Sequence, residues 1–138
     1  MLVRIQCLTF VPNLVRNCVF KIVFYETALG NEVVLDFIRN LPLDDRKRVG
    51  VDLKTVQIGY PIGMPLCRPL GSGLSEVRTS LPSKREVRSI FDFDSDRQCL
   101  IVLHAFIKTS RTTPKADLDL AKKRKAEFFI YGGGSGRK

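Results

Sequence analysis

Within residues 69–114 three apolar runs follow one another with only short polar breaks, and this stretch restricts the fold more than any other. Residues 74–81 and 86–93 are separated by Pro82-Ser83-Lys84-Arg85, and residues 100–107 follow Asp94-Ser95-Asp96-Arg97. Alternating runs bounded by Pro, Ser and Asp clusters are hairpin signals, so the spacing predicts an antiparallel three-strand meander. Side chains alternate across a strand. One face then carries Val77, Thr79 and Leu81, with Val87, Phe91 and Phe93 and with Leu103, Ala105 and Ile107. That face builds a core. The other gathers Arg78, Arg88, His104 and Lys108, a set of cations that suits a phosphate.

The flanking segments supply helices to cover the sheet. Residues 19–26 (VFKIVFYE) are rich in β-branched and aromatic side chains and read as a strand. Asn31 is placed to cap a helix whose apolar positions are Val34, Leu35, Ile38 and Leu41, ended by Pro42. Asp44 is placed to cap a second, striped by Val49, Leu53, Val56 and Tyr60 and closed by Gly59 and Pro61. After the meander, Thr113-Pro114 reads as an N-cap followed by proline at the first helical position. Leu118, Ala121 and Phe128 give that last helix a partial apolar face, and residues 122–125 a basic one. Matching the stripes predicts that Val77, Val87, Phe91 and Leu103 are buried against Leu35, Ile38, Leu53 and Val56.

This is an α+β domain: a mainly antiparallel sheet, two helices packed on one face, and a basic C-terminal helix at its margin. A chain of 138 residues can bury such a core as one domain. The expected limits are residues 18–131, with an extension at 1–17 and a flexible glycine-rich tail at 132–138. The extension holds two arginines and no acid, but its apolar stretches are too broken for a secretory signal. No apolar run approaches the roughly 20 residues of a membrane span, and no membrane partner is expected. Cys7, Cys18, Cys67 and Cys99 are scattered without a paired spacing, which argues against zinc and against a disulfide framework. Reduced, buried cysteines in a cytoplasmic protein fit best, and neither metal nor cofactor is called for.

The net charge of +9 is uneven: residues 108–138 hold nine lysines and arginines against three acids. Such asymmetry fits an anionic partner such as nucleic acid, although a charge run by itself is more often a solvated helix face. Gly71-Ser72-Gly73 lacks the lysine of a phosphate loop and reads as a turn. Asp92, Asp94 and Asp96 lack the glycine and closing glutamate of a calcium loop and read as a solvated hairpin tip. Arg78 and Arg88, beside Glu76 and Glu86, fit cross-strand ion pairs as well as they fit a phosphate site. His104 alone reads more readily as a satisfied core histidine than as a catalyst.

The order strand, two helices, meander, basic helix is similar to the RelE/HigB superfamily of bacterial toxins, and within it to the phage-derived HigB-like branch. The residues carrying the resemblance are Phe24-Tyr25, Leu41-Pro42, Gly63-Met64-Pro65, the run PLGSGLSEVR at 69–78, Val87-Arg88, the run LHAFIK at 103–108, and Thr113-Pro114. Together they span roughly residues 18–130. The resemblance implies a RelE-like fold and ribosome-dependent cleavage of messenger RNA, restrained by a helix-turn-helix antitoxin. It implies catalytic roles for Arg78, Arg88 and Lys108, with His104 a candidate base. Arg111, Lys122, Lys123 and Lys125 are the expected RNA-binding cations. Thr109 and Thr112 stand where relatives often carry lysine, and Ser75 where an aromatic is usual. The alternative is therefore a degenerate toxin-fold protein that binds antitoxin or RNA without cleaving.

Overall fold

The alternating central stretch folds into a twisted antiparallel sheet whose two faces are covered by different parts of the chain. The computed structural model describes residues 20–109 and 111–132. Its strands are β1 (Lys21–Phe24), β2 (Cys67–Gly71), β3 (Leu74–Ser80), β4 (Glu86–Asp94) and β5 (Cys99–Ile107). They lie in the order β1-β5-β4-β3-β2. Neighbours from β2 to β5 are antiparallel, while β1 joins β5 in parallel, with Lys21 opposite Cys99. A parallel neighbour needs a long crossover. The helices α1 (Val33–Arg39) and α2 (Leu43–Gly59) lie on the path from β1 to β2.

The expected meander has three strands; the antiparallel part of the sheet has four. β2 was hidden because Pro69 interrupts its short run, and proline is tolerated in a strand only at an edge, which is where β2 lies. Gly71, Ser72 and Gly73 all have positive φ and form the tight connection from β2 to β3. Gly73 has a second constraint. A Cβ there would stand 2.9 Å from the Lys125 ammonium, so both the backbone conformation and the neighbour favour glycine.

Burial follows the apolar stripes. Val34, Ile38 and Leu41 from α1 and the loop after it, and Val49, Leu53 and Val56 from α2, are buried with Val77, Val87, Phe91 and Leu103. Leu35, expected among them, is only half-buried, and Val34 takes its place. Tyr60 continues the α2 stripe by packing on Phe91 and Phe93, with ring centroids 5.9 and 4.6 Å away. Both helices begin without the expected caps. Glu32 and Pro42 precede them and make no side-chain capping bond. Asp44 instead lies in the first turn of α2, where a negative charge favours the helix dipole. Asp45, buried beside it, accepts hydrogen bonds from the Ser83 N–H and from Arg85. It ties the β3–β4 connection to α2.

The C-terminal helix α3 (Lys115–Glu127) corrects the expected layout. It does not lie at the margin of the sheet. Phe91 faces Tyr60, the residue that ends α2, so its neighbours Ile90 and Asp92 point to the other side. His104, opposite Ile90, contacts Asp117 of α3 at 2.6 Å, and Asp92 contacts Lys125 of α3 at 3.6 Å. α3 thus crosses the face away from α1 and α2. Covering β4 from both sides explains why it is buried from Val87 to Asp92. A bulge between Ile90 and Phe91, at Leu103 on the partner strand, keeps β5 in step with the two layers.

Thr113 does not cap α3, since its hydroxyl is used elsewhere, and Pro114 is the residue before the helix. Beyond α3 the chain makes a π-helical turn over Phe128–Gly132. Asp92 and Asp94 are buried rather than solvated; Asp94 accepts from the Asp96 and Arg97 N–H groups and from the Arg97 guanidinium, closing the β4–β5 turn. Cys67 and Cys99 are buried free thiols, pushed up to about 11 by burial. The expected extension at 1–17, with Cys7, and also Cys18, lie outside the described residues, as does the tail beyond Gly132. Among the described residues no helix is long and apolar enough to cross a membrane.

Candidate functional site

On the face toward α3, the sheet register sets Arg78 directly opposite Arg88 and Glu76 opposite Ile90. Arg88 in turn lies opposite Phe106, and the Lys108 N–H donates to the Glu86 carbonyl just past the end of β5. Strand alternation therefore does collect Arg78, Arg88, His104 and Lys108 on one face, as the sequence suggests. What it does not do is leave them equally free.

Arg88 is the main correction. Its side chain is 1% exposed, and its partner Glu76 is fully buried. Arg88 Nη1 donates to Glu76 Oε2 at 2.7 Å, and Nη2 to Glu86 Oε1 at 3.5 Å. The remaining oxygen of Glu76 accepts from the Thr113 hydroxyl at 2.7 Å. Glu76 thus holds a sheet arginine with one oxygen and the segment leading into α3 with the other. A buried ion pair of this kind resists loss of either partner, because the survivor is left as an uncompensated charge. The solvent-facing position expected for Arg88 is not found; the guanidinium lies beneath Thr113 and the start of α3. Sequence reasoning set Glu76 beside Arg88 but missed Thr113, whose pairing with Glu76 spans the whole meander.

The open part of the face lies at the β3–β4 end. Arg78 is half-buried, its Nε is covered and unpartnered, and its guanidinium makes no ion pair among the described residues. Lys108 Nζ sits 3.1 Å from Glu86 Oε1. Burial pushes the Glu86 carboxyl upward, but the Lys108 hydrogen bond and the Arg88 and Lys108 charges outweigh it and hold it below the usual range. Glu86 is accordingly an ionised carboxylate flanked by two cations. Arg111 is exposed in the segment between Lys108 and Thr113. One unpaired guanidinium, one lysine held by a carboxylate and an exposed arginine thus border the uncovered end of the sheet, on the β3, β5 and loop sides.

His104 is satisfied where it stands. Its Nε2 lies 2.6 Å from Asp117 Oδ1, its Nδ1 3.5 Å from Arg124 Nη1, and its ring stacks on Phe106. Burial lowers its pKa, and the Asp117 carboxylate opposes without reversing this. Arg124, which sequence reasoning placed on a basic outer face, turns inward. It donates to the Leu103 carbonyl at 3.0 Å and covers the Tyr25 ring at 4.9 Å. Tyr25 itself donates to Glu127 at 2.6 Å, and its phenol is pushed up to about 12, chiefly by burial. Of the expected RNA-binding lysines, Lys125 is engaged by the Ser72 carbonyl at 3.2 Å and by Asp92. Lys123 reaches Glu127 only at 4.0 Å and is largely exposed, and Lys122 is exposed with no ion pair among the described residues. Of the cations that the sequence singled out, those available to an anion are therefore Arg78, Arg111, Lys122 and Lys123, with Lys108 shared. Among the described residues no group of three His, Cys, Asp or Glu side chains is placed to hold a metal.

The architecture defines a class: an α+β domain with a five-stranded, mostly antiparallel sheet, clamped between two helices on one side and a cation-rich helix on the other. The sequence places the chain within that class. A model of the family of phage-derived Gp49-like proteins (DUF891) matches residues 36–126, from α1 to the last turn of α3, and the chain belongs to that family. No curated protein matches the chain.

Proposed function

We propose that this Gp49-like protein is the toxin of a toxin–antitoxin pair and cleaves messenger RNA on the ribosome. The family assignment, which is associated with RelE-like toxins, supports the toxin part. The observation that supports cleavage is Arg78. It is a guanidinium on the rigid strand β3, unpaired among the described residues and bordering the uncovered end of the sheet. Attack of a ribose 2′-OH on the adjacent phosphate builds negative charge on the phosphate oxygens. A preoriented guanidinium stabilises that charge where it develops and needs no metal to do so. Lys108, with Glu86 fixing its ammonium, is placed to hold a second phosphate oxygen, and Arg111 the backbone beside it. Arg88 acts through the fold, by holding Glu76 and with it Thr113, and not through the phosphate. His104 is a structural residue on this reading.

A second reading has its own support. Glu76 and Glu86 engage Arg88 and Lys108, so the site offers fewer free cations than the sequence suggests. That favours a toxin-fold protein that binds antitoxin or RNA without cutting. Induction in a bacterial host, followed by mapping of messenger ends on purified ribosomes, separates the two. Growth arrest with new 5′ ends that require ribosomes supports cleavage; intact messenger with RNA retained by the protein supports the second reading.

A further inference from the structure

The outer face of α2 carries a stripe that none of the other described residues covers. Leu43, Lys47, Val51, Lys54 and Ile58 succeed one another at intervals of four, four, three and four residues, which keeps them on one side of the helix. Leu43, Val51 and Ile58 are 54, 57 and 52% exposed, and Lys47 and Lys54 between them are exposed and make no ion pair among the described residues. The stripe runs about 22 Å along the helix. A β-branched valine and isoleucine on a solvated helix face lower helix propensity and gain nothing from burial here.

Gly50 adds an independent observation. It lies in the same stripe, three residues after Lys47 and four before Lys54, in the interior of a 17-residue helix. A Cβ built on it meets nothing within 4 Å, and its φ is not in the left-handed region. Neither packing among the described residues nor backbone conformation calls for glycine there, yet glycine weakens a helix interior relative to alanine. A missing side chain at the centre of an exposed apolar stripe is what a close crossing by another backbone requires.

We propose that this face of α2 docks an amphipathic helix of a partner protein, crossing at Gly50, with leucine-like residues on Leu43, Val51 and Ile58 and acidic residues on Lys47 and Lys54. A second copy of the chain is the poorer occupant, since it would set these lysines near their own copies in a protein of net charge +9. The naming of the partner, and only that, rests on the toxin reading: there it is the antitoxin. The mode is that of a helix recognised through anchors at i, i+4 and i+7.

The test uses the full chain and a fluorescent synthetic helix with leucines at three- and four-residue spacing flanked by glutamates, read by anisotropy. A lysine-flanked version is the control. The glutamate helix binds, binding weakens with salt, and the lysine helix fails. Gly50→Leu and Val51→Glu each reduce affinity at least tenfold. Gly50→Ala separates docking from folding: it raises the melting temperature by about 2–4 °C while weakening binding of the glutamate helix. Binding of the glutamate helix that is unchanged by Gly50→Leu and Val51→Glu overturns the proposal. So does salt-independent binding of both helices, or self-association abolished by Val51→Glu. Messenger cleavage by the unsubstituted protein is scored separately. Docking of the glutamate helix without cleavage removes the cleavage reading and keeps the surface; cleavage without docking does the reverse.

Discussion

Arg78 and Arg88 face each other across β3 and β4, on the same side of the sheet, and their surroundings differ almost completely. Arg88 lies toward the middle of the sheet, under the segment leading into α3, and is closed in by Glu76, Glu86 and the Thr113 that caps Glu76. Arg78 lies nearer the edge, with β2 beside it, and pairs with no carboxylate among the described residues. One strand step therefore decides whether an arginine is locked into a buried ion pair or left half-buried without one. The difference comes from what lies above the sheet, not from the strands themselves.

The comparison breaks most visibly at Arg88. Arg88→Ala leaves Glu76 buried and without its ionic partner, so stability should fall by about 3–5 kcal/mol, read as the shift of a urea midpoint. Replacing Glu76 and Arg88 together by leucine and methionine should cost less than the two single changes combined, because neither charge is then stranded. An unchanged midpoint for Arg88→Ala would mean that the guanidinium is solvated and that the two arginines are alike after all.

Thr113→Val sharpens the closed end. It removes one hydrogen bond to Glu76 without touching Arg88, and should cost about 0.5–1.5 kcal/mol. The informative readout is hydrogen exchange. Amides at the start of α3 should lose more protection than those of β4, since Thr113 is the link between them. Equal loss in both would place the link elsewhere.

The smallest effect is in pH. Glu86 has a folded-state pKa below its unfolded value, where Lys108 and Arg88 favour its charged form. Its contribution to stability is therefore present above the unfolded carboxylate range near pH ~4.3 and is lost as pH falls through the depressed folded value. Glu86→Gln should remove that part of the acid-side loss and leave the profile above pH ~6 unchanged. An identical acid limb in the variant would show that Glu86 is not held by its two cations.

The apolar half of this fold was legible in the chain itself. Period-two runs gave β3, β4 and β5, and Val49, Leu53 and Val56 marked the buried side of α2, because burial leaves its period in the sequence. β2 was not legible, since an edge strand containing Pro69 buries little and shows no period. The place of α3 was not legible either. Beside the apolar Ala121 and Leu118, its inward groups include Arg124 and Lys125, whose partners are a carbonyl of β5, the Tyr25 ring and Asp92, and nothing in a basic run announces which cations turn inward. The same limit applies at the site. Parity put Arg78, Arg88, His104 and Lys108 on one face, but separating the paired from the unpaired needed Thr113 and Asp117, which come from the other end of the meander.

On the proposed function Arg78 is the residue that meets the phosphate, and ribosome-dependent cleavage by Arg78→Ala tests it most directly. The variant should cut messenger about 10²–10³-fold more slowly than the parent, as loss of a comparable electrostatic stabiliser does. Its urea midpoint should move by less than about 1 kcal/mol, since no ion pair is broken. Cleavage at the parental rate by a folded Arg78→Ala protein would contradict the account and remove Arg78 from the site.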